Sequence, residues 1–338
     1  MKTRRRWLVA MILSSCAIAW WCAALRAGAA PQDASVIASE AQHQFEAGNY
    51  SGAISTLQPM ASANSPNGDV YFWLGRSYYE LRDYDNSIAN LEKAVAIDPR
   101  NSRYHQWLGE ADGGKADVDR SFSFARKVKK EFQAAVNLDG SNIEARRDLE
   151  EFCLDAPWIV GGSKDEALDQ VNAIAAIDLL AGHLARAVYL REALKNNDQA
   201  ESEYKQVLAA KPKKLDPYFE VADFYVTLDR PADVETAVQA AAAVDPNDPR
   251  IGFYRGVEGV LANQNLADTE RDLKSYLATT PDRSDWPSHS AARVWLGRLY
   301  ELQGKTPDAA EQYRAALQLD PQNKNARQRL DKLGKSSQ

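Results

Sequence analysis

The chain contains the same stretch of sequence more than once, and this internal repetition limits what it can fold into. The segment YFWLGRSYYELRDYDNSIANLEKAVAIDP, residues 71–99, is echoed by RVWLGRLYELQGKTPDAAEQYRAALQLDP, residues 293–321. Each contains two amphipathic helical patterns, separated by a short polar turn and closed by Asp-Pro. Closing prolines recur at a similar period, as between Pro212 and Pro246. A helix pair repeated in this way predicts a stack in which each pair contacts its neighbours.

Small side chains occupy one position of the repeat, where its two helices would cross. Repeats starting at residues 34, 68, 102, 143, 181, 215, 249 and 290 place mostly Gly or Ala at the eighth position. The residues there are Ala41, Gly75, Gly109, Glu150, Val188, Ala222, Gly256 and Gly297. Two antiparallel helices approach closely only where side chains are small, because larger ones push them apart.

These features resemble the tetratricopeptide repeat, a 34-residue helix pair with small residues at the crossing and a proline near its end. The resemblance implies an all-α fold, a right-handed superhelical solenoid of about eight stacked antiparallel helix pairs. The charged segment 323–338 is expected to form a C-terminal capping helix and tail. The repeats are expected near residues 34–67, 68–101, 102–142, 143–180, 181–214, 215–248, 249–283 and 290–322.

Three insertions interrupt the period. They fall around DGGKADVDRSFSF (residues 112–124), DAPWIVGGSKDEA (155–167) and SDWPSH (284–289). Insertions in a solenoid map to loops, where binding residues can be added without disturbing the stack. The first two are expected to lengthen the turns of repeats three and four.

The insertion at residues 155–167 has a Gly-Gly pair, but it is not expected to bind phosphate. A phosphate loop would follow a buried strand and carry a G-x-x-x-x-G-K-S/T run, and neither is present. Gly161 and Gly162 are expected to reverse the backbone, and Ser163 with Glu166 to form a capping box. The apolar side chains of this turn either contact a partner or pack back onto repeat three. They are Trp158, Ile159 and Val160.

Residues 1–29 have the pattern of an export signal: a basic stretch, an apolar run from Trp7 to Leu25 and a final series of small residues. Cleavage after Ala29 or Ala30 is expected. Two alternatives remain open, an uncleaved membrane anchor through residues 7–25 and lipid attachment at Cys16, which ends a stretch resembling a bacterial lipoprotein box. The protein is therefore expected to be exported, to the periplasm or cell envelope of a bacterium, with membrane contact only through this segment.

Charge and motif content exclude several function classes. Residues 1–29 hold five basic residues and no acid, so removing them changes the formal charge from -6 to -11, which disfavours nucleic acid as a partner. The four histidines lie in four different repeats without metal-ligand spacing, and no serine-nucleophile motif occurs. Cys153, on the first helix of repeat four, is expected to be a buried small hydrophobe. The sequence predicts no enzyme, cofactor or metal site.

The resemblance also implies a concave groove lined by the first helices. Aromatic and arginine side chains there would anchor a bound peptide. From the family's usual groove positions, the expected lining is Phe72, Arg76, Tyr79, Gln106, Glu110, Arg147, Tyr189, Phe219, Asp223, Phe253 and Arg298. The Lys and Asn clamp of chaperone-binding members is absent, because other residue types hold its positions.

The function expected from the sequence is that of a non-catalytic scaffold of the bacterial envelope, binding a protein or an extended peptide in its groove. The alternative is a ligand-binding or accessory subunit of an envelope transport system, with a pocket formed by the insertions of repeats three and four. Both are analogies from a fold that serves many functions.

Overall fold

A computed structural model describes residues 31–336, with side chains from residue 36 to residue 334. Within these residues the chain forms 17 α-helices, one short 3₁₀ helix and no strand, which confirms the all-α prediction. The helices are α1 (Pro31–Glu46), α2 (Tyr50–Ser62), α3 (Gly68–Glu80), α4 (Tyr84–Ile97), α5 (Ser102–Asp119), α6 (Phe122–Leu138), α7 (Ile143–Asp155), α8 (Lys164–Ile177), α9 (Leu179–Glu192), α10 (Asn197–Ala210), α11 (Asp216–Thr227), α12 (Pro231–Ala242), α13 (Pro249–Ala262), α14 (Leu266–Thr279), α15 (His289–Leu302), α16 (Thr306–Leu319) and α17 (Lys324–Ser336).

The predicted leader, residues 1–29, lies outside the described residues. No helix in the described part of the chain is long and apolar enough to cross a membrane.

The helices stack in chain order as eight pairs, from α1 and α2 to α15 and α16, followed by α17. Each helix packs against the one before and the one after it, and most first helices of a pair also contact the first helix of the next pair. Successive second helices are not in comparable contact within residues 31–336. Because neighbours on the inner side of a curved stack lie closer together, the first helices form its inner side. The solenoid prediction is confirmed.

Glycines set how closely the helices of a pair approach. A Cβ atom on Gly75 would lie 2.5 Å from Cγ of Leu91, and one on Gly256 equally close to Cγ of Leu273. A third example is Gly109, where the added atom would lie 2.6 Å from the Phe132 ring. In each case the large side chain of the second helix fills the space that the glycine leaves. The predicted role of these positions is therefore confirmed.

Repeat four breaks this rule, because its eighth position holds a glutamate. The Glu150 side chain is buried, with 2% of its surface exposed, and its Oε1 atom has no hydrogen-bond partner. Burial raises the pKa of Glu150 to about 8, although the nearby Arg147 acts in the opposite direction. A buried carboxyl with this pKa holds its proton at neutral pH, which avoids an unpaired buried charge.

The turn between α7 and α8 departs in one respect from the expected capping box. Gly161 has a φ of +116°, and Ser163 Oγ accepts a hydrogen bond from the Glu166 amide at 3.3 Å. The reciprocal bond is missing, because the Ser163 amide donates to the Cys153 carbonyl (2.9 Å) and the Glu166 carboxylate pairs with Lys129 (2.6 Å). The hydrogen bond from the Glu166 amide to Ser163 Oγ therefore forms, whereas the Glu166 carboxylate forms an ion pair with Lys129 of α6 instead of accepting from the Ser163 amide.

The last helix closes the stack at its carboxyl end. Asn323 caps α17 by accepting a hydrogen bond from the Ala326 amide at 2.9 Å, and its side-chain amide donates to Ser290 Oγ, also at 2.9 Å. Ala326 is fully buried against the core of the last repeats. The helix covers apolar surface that the last pair would otherwise expose to water.

The crossing argument predicts opposite effects for two glycine-to-alanine substitutions. Gly75→Ala is expected to lower the free energy of unfolding by about 1 to 3 kcal/mol, because the new methyl group overlaps Leu91. Gly113→Ala is its control within α5, since its nearest neighbour, Val128, would be 3.8 Å away. It is expected to stabilise by about 0.5 to 1 kcal/mol, as alanine does in a helix interior. Equal melting temperatures for the two variants would contradict this reading.

A second prediction concerns the pH dependence of stability. The unfolded chain loses the Glu150 proton near its ordinary pKa of 4.5, whereas the folded chain keeps it up to about 8. Stability therefore falls as pH rises through this window. Glu150→Gln, which keeps the shape without the ionisable group, is expected to raise the free energy of unfolding by about 1 to 3 kcal/mol at pH 8 and by little at pH 4.5. Unfolding curves across that range give the difference, and a pH-independent effect would show that ionisation is not the cause.

Candidate functional site: the concave surface

The inner surface of the stack holds the predicted groove residues, but several of them have almost no exposed surface. Phe72 is fully buried and contacts Trp73 and Tyr104, each with ring centroids 5.2 Å apart. Phe219 stacks on Tyr254 with ring centroids 5.0 Å apart. Successive repeats pack so closely that these side chains lie between first helices instead of facing open space. The buried members of the predicted lining, which belong to the core in this structure, are Phe72, Gln106, Tyr189, Phe219 and Phe253.

A network of carboxyl groups joins repeats two, three and four. Tyr79 donates its hydroxyl to Glu110 at 3.3 Å, and Gln106 donates its side-chain amide to Asp148 at 2.7 Å. Burial, together with the negative charge of Glu151, raises the pKa of Glu110 to about 7. Burial and the nearby Glu110 also raise the pKa of Asp148 well above its usual range. The network therefore carries less negative charge at neutral pH than its carboxyl groups would in water.

An ion pair crosses the concave surface from repeat four to repeat six. Arg147 binds Glu220 with two hydrogen bonds, from Nη1 at 3.0 Å and from Nη2 at 2.9 Å. The two carboxylate oxygens meet the two ends of the guanidinium group, the geometry in which such pairs are strongest. Glu220 was not among the predicted residues, because nothing local in the sequence relates it to a residue 73 positions earlier.

The remaining predicted residues keep part of their surface accessible. Asp223 is exposed to water but surrounded by protein on most sides, as in a concave surface, and this environment raises its pKa to about 6. Arg298 lies over the Trp295 ring, with its guanidinium carbon 4.0 Å from the ring centroid. Arg76 lies among aromatic rings, the nearest being Trp107 at 3.9 Å.

The insertion between repeats seven and eight reaches across the concave surface to the first repeats. We call residues 281–288 the strap. Ser284 donates its amide to Glu80 Oε2 at 2.9 Å and its hydroxyl to Glu80 Oε1 at 2.8 Å, and Arg283 donates to the Glu46 carbonyl at 3.2 Å. Pro281 lies directly against Gly48, whose φ is +75°. The strap thereby links the two ends of the solenoid.

The strap also encloses space on the inner surface. A cavity of about 660 Å³ lies between the strap and the first helices of repeats six to eight. It is lined by Phe219, Asp223 and Phe253 from the predicted set, and by Trp286 from the strap. The guanidinium group of Arg250 lies 5.0 Å from the Trp286 ring centroid and 4.5 Å from that of Phe219.

A second cleft, of about 620 Å³, lies where the insertions of repeats three and four meet. The expected longer turn in repeat three is wrong, because its inserted residues extend α5 to 18 residues and α6 to 17. Tyr79, Glu110 and Val160 from the predicted set line it, together with Asp148 and Phe122. The cleft combines carboxyl groups with aromatic rings, which the sequence did not reveal because the two insertions are separated along the chain.

The predicted loop contacts divide into exposed and buried residues. Trp158 is 85% exposed and Ile159 50% exposed, whereas Val160 is buried at 4% and packs back onto the protein. Cys153 is buried as predicted, and burial raises the pKa of its thiol to about 11. A thiol with this pKa stays protonated and is a poor nucleophile at neutral pH.

The strap contacts predict a local change in amide exchange. Glu80→Ala removes both acceptors of Ser284, so the Ser284 amide is expected to exchange with solvent at least about tenfold faster, the effect of losing one hydrogen bond to a charged group. Glu92→Ala, a change at an exposed glutamate of α4, is the control and should leave the rate unchanged. Hydrogen–deuterium exchange of residues 281–288 measures the difference. Wild-type exchange in both variants would mean that Glu80 does not hold the strap.

Comparison with known proteins supports the fold. Two sequence models described as "Tetratricopeptide repeat" match residues 68–101 and 260–324. No curated protein matches the chain. A solved structure of the APC/C hetero-tetramer Cut9-Hcn1 is similar with a TM-score of 0.51 and 14% identity, over 84% of this chain and 52% of that one.

A tetratricopeptide repeat protein from Parabacteroides merdae ATCC 43184 is similar with a TM-score of 0.48 and 15% identity, over 79% of this chain and 98% of that one. At 14% identity, the similarity to the Cut9-Hcn1 structure bears on the fold alone. The two family matches identify tetratricopeptide repeats at residues 68–101 and 260–324, and the stacked helix pairs with their glycine crossings give the described chain a solenoid fold of that type.

Proposed function

We propose that this protein is an exported, non-catalytic scaffold that binds another protein or an extended peptide on its concave surface and supports an assembly of the bacterial cell envelope. Tetratricopeptide repeats generally bind proteins or peptides. The observation that carries the proposal is the cavity of about 660 Å³ between the strap and the first helices of repeats six to eight.

The lining of that cavity suits a peptide. The partly exposed rings of Trp286 and Trp295 provide apolar area, because Phe219 and Phe253 are only 5% and 4% exposed, and Asp223 and Arg250 provide charged groups at its wall. Apolar contacts of this kind supply most of the affinity for a partner, while the placed polar groups supply specificity. The site is built on packed helices, so little conformational entropy is lost when it binds.

Export is supported by the pattern of residues 1–29. The proposal places the protein in the periplasm or cell envelope, either freed by cleavage or held at the membrane through residues 7–25. The absence of a catalytic role is supported by the buried, protonated thiol of Cys153, the single cysteine that remains beyond residue 29.

Cross-linking in the native cell envelope tests the proposal. Mild cross-linking, purification and mass spectrometry should enrich one envelope protein with the wild-type chain. Ala291→Trp fills the cavity from its wall and is expected to abolish that enrichment. The matched control, Ala209→Trp, adds the same side chain at an exposed position of α10 and should retain it. Equal capture by the two variants, with melting temperatures confirming that both fold, would remove the cavity as the binding site.

A second candidate function is supported by the cleft between the insertions of repeats three and four. A cleft of about 620 Å³ with aromatic and carboxyl lining has the size of a small-molecule site, so the chain would be a ligand-binding or accessory subunit of an envelope transport system. Native mass spectrometry would then find a small molecule retained by the wild-type protein. Gly113→Leu, which places a side chain in the cleft, is expected to lose this molecule, and Ala291→Trp is expected to keep it. If native mass spectrometry of the protein purified from native cells shows only the mass of the protein itself, the scaffold function is favoured over the ligand-binding one.

A further inference from the structure

Arg76, on the first helix of repeat two, is a half-buried cation that no carboxylate of the described residues pairs with directly. Its guanidinium group makes no hydrogen bond or ion pair with any residue that the structure describes, and its Nε atom is sealed from solvent without a partner. The guanidinium carbon lies 3.9 Å from the ring centroid of Trp107, 4.5 Å from that of Phe45 and 4.9 Å from that of Trp73. Cation–π contact with three rings offsets part of the cost of burying the charge.

Two other arginines of the same surface are paired, whereas Arg298 has no side-chain hydrogen bond or ion pair among the described residues and lies over the Trp295 ring. Arg147 has Glu220, and Arg250 has Asp216 at 2.6 Å and Asp248 at 2.8 Å. The chain therefore supplies carboxylates to two guanidinium groups of this surface. Arg76 differs from Arg147 and Arg250, and burial lowers its pKa to about 10, which still leaves it charged at neutral pH.

The strap explains why Arg76 is left unpaired. Glu80 is four residues further along α3, the spacing at which a glutamate and an arginine pair along a helix. Both oxygens of Glu80 instead accept hydrogen bonds from Ser284. Glu80 therefore acts on Arg76 through its charge, which raises the pKa of Arg76, but makes no hydrogen bond or ion pair with it.

A second arginine lies beside the first. Arg103, at the start of α5, places its guanidinium carbon 4.8 Å from the Phe72 ring centroid, and that of Arg76 is 5.7 Å from the same ring. The charge of Arg103 further lowers the pKa of Arg76. Arg103 is exposed and likewise has no side-chain hydrogen bond or ion pair among the described residues. Two neighbouring guanidinium groups that no carboxylate hydrogen-bonds offer free donors to a negative group.

We propose that Arg76 and Arg103 form a subsite for an acidic side chain of the partner bound on the concave surface, with Arg76 as the anchor. The inference rests on the proposed function and specifies the partner's chemistry. A carboxylate can accept two parallel hydrogen bonds from a guanidinium group. The rings around Arg76 provide apolar contact for the residue next to the acid. The partner segment therefore carries Asp or Glu beside an aromatic or large apolar residue.

Two synthetic peptides test this specificity. The probe is fluorescein-labelled Gly-Ser-Glu-Glu-Trp-Ser-Gly-amide, and its neutral twin has Gln in place of both Glu residues. By fluorescence anisotropy with the full chain at low salt, the acidic peptide is expected to bind at least about tenfold more tightly, since hydrogen bonds between charged groups are worth that much. A third peptide, the neutral twin with a free carboxyl terminus in place of the amide, separates recognition of an acidic side chain from recognition of a chain end. Tighter binding of this third peptide than of the acidic amide peptide would contradict the proposal.

Substitutions of single arginines test which residues cause the preference for the acidic peptide. Arg76→Met is expected to abolish the preference for the acidic peptide, and Arg103→Met to reduce it about threefold by removing the outer charge. Arg126→Met, a change at an exposed arginine of α6, is the matched control and should keep the full preference. Because Arg76 also contacts core rings, its variant is compared only where its melting curve shows a folded protein. Otherwise the exposed Arg103 variant decides.

Equal binding of the acidic and neutral peptides to the wild-type chain would overturn the subsite, and so would binding of neither. If both peptides bind strongly and equally, the concave surface still binds peptides, but Arg76 and Arg103 do not form a subsite for an acidic side chain. Failure of the proposed function appears separately, as equal capture of the envelope partner by the Ala291→Trp and Ala209→Trp variants.

Discussion

The close approach of two helices over a glycine is the contact on which the rest of this structure depends. Where Gly75 faces Leu91, or Gly256 faces Leu273, the missing Cβ lets the second helix place a large side chain directly on the backbone of the first. Each pair is then a compact unit, and stacked units bury a continuous core. The first helix of most pairs also contacts the first helix of the next pair, so the first helices form the inner side of the stack. Side chains on the first helices are therefore the ones that line the concave surface.

The strap turns this open arrangement into a partly closed one. By joining Ser284 to Glu80 and Arg283 to the Glu46 carbonyl, it connects repeats that are more than 200 residues apart along the chain. It borders the cavity beside Trp286 and binds Glu80, the glutamate four residues after Arg76 on α3. The same contact therefore affects the shape of the binding surface and the hydrogen bonding of its charged groups. A partner that reaches this surface meets a guanidinium group to which no described side chain is hydrogen-bonded.

The sequence predicted what depends on local pattern. Helix pairs, their crossings and the capping helix follow from spacing within about 34 residues, and the buried state of Cys153 follows from its place on an amphipathic helix. Burial of Phe72 was not predictable in the same way, because a position within one repeat does not define how tightly the next repeat packs. The pairing of Arg147 with Glu220 depends on the curvature of the stack, which no local pattern encodes.

We propose that partners bind to the inner side of the stack. Hydrogen–deuterium exchange of the protein alone and in complex with its captured envelope partner tests this, because it reports every helix at once. On binding, we expect slower amide exchange in the first helices α3, α5, α11 and α13 and in the strap, with the second helices α4 and α12 unchanged. Slower exchange confined to the second helices would instead place the partner on the outer surface.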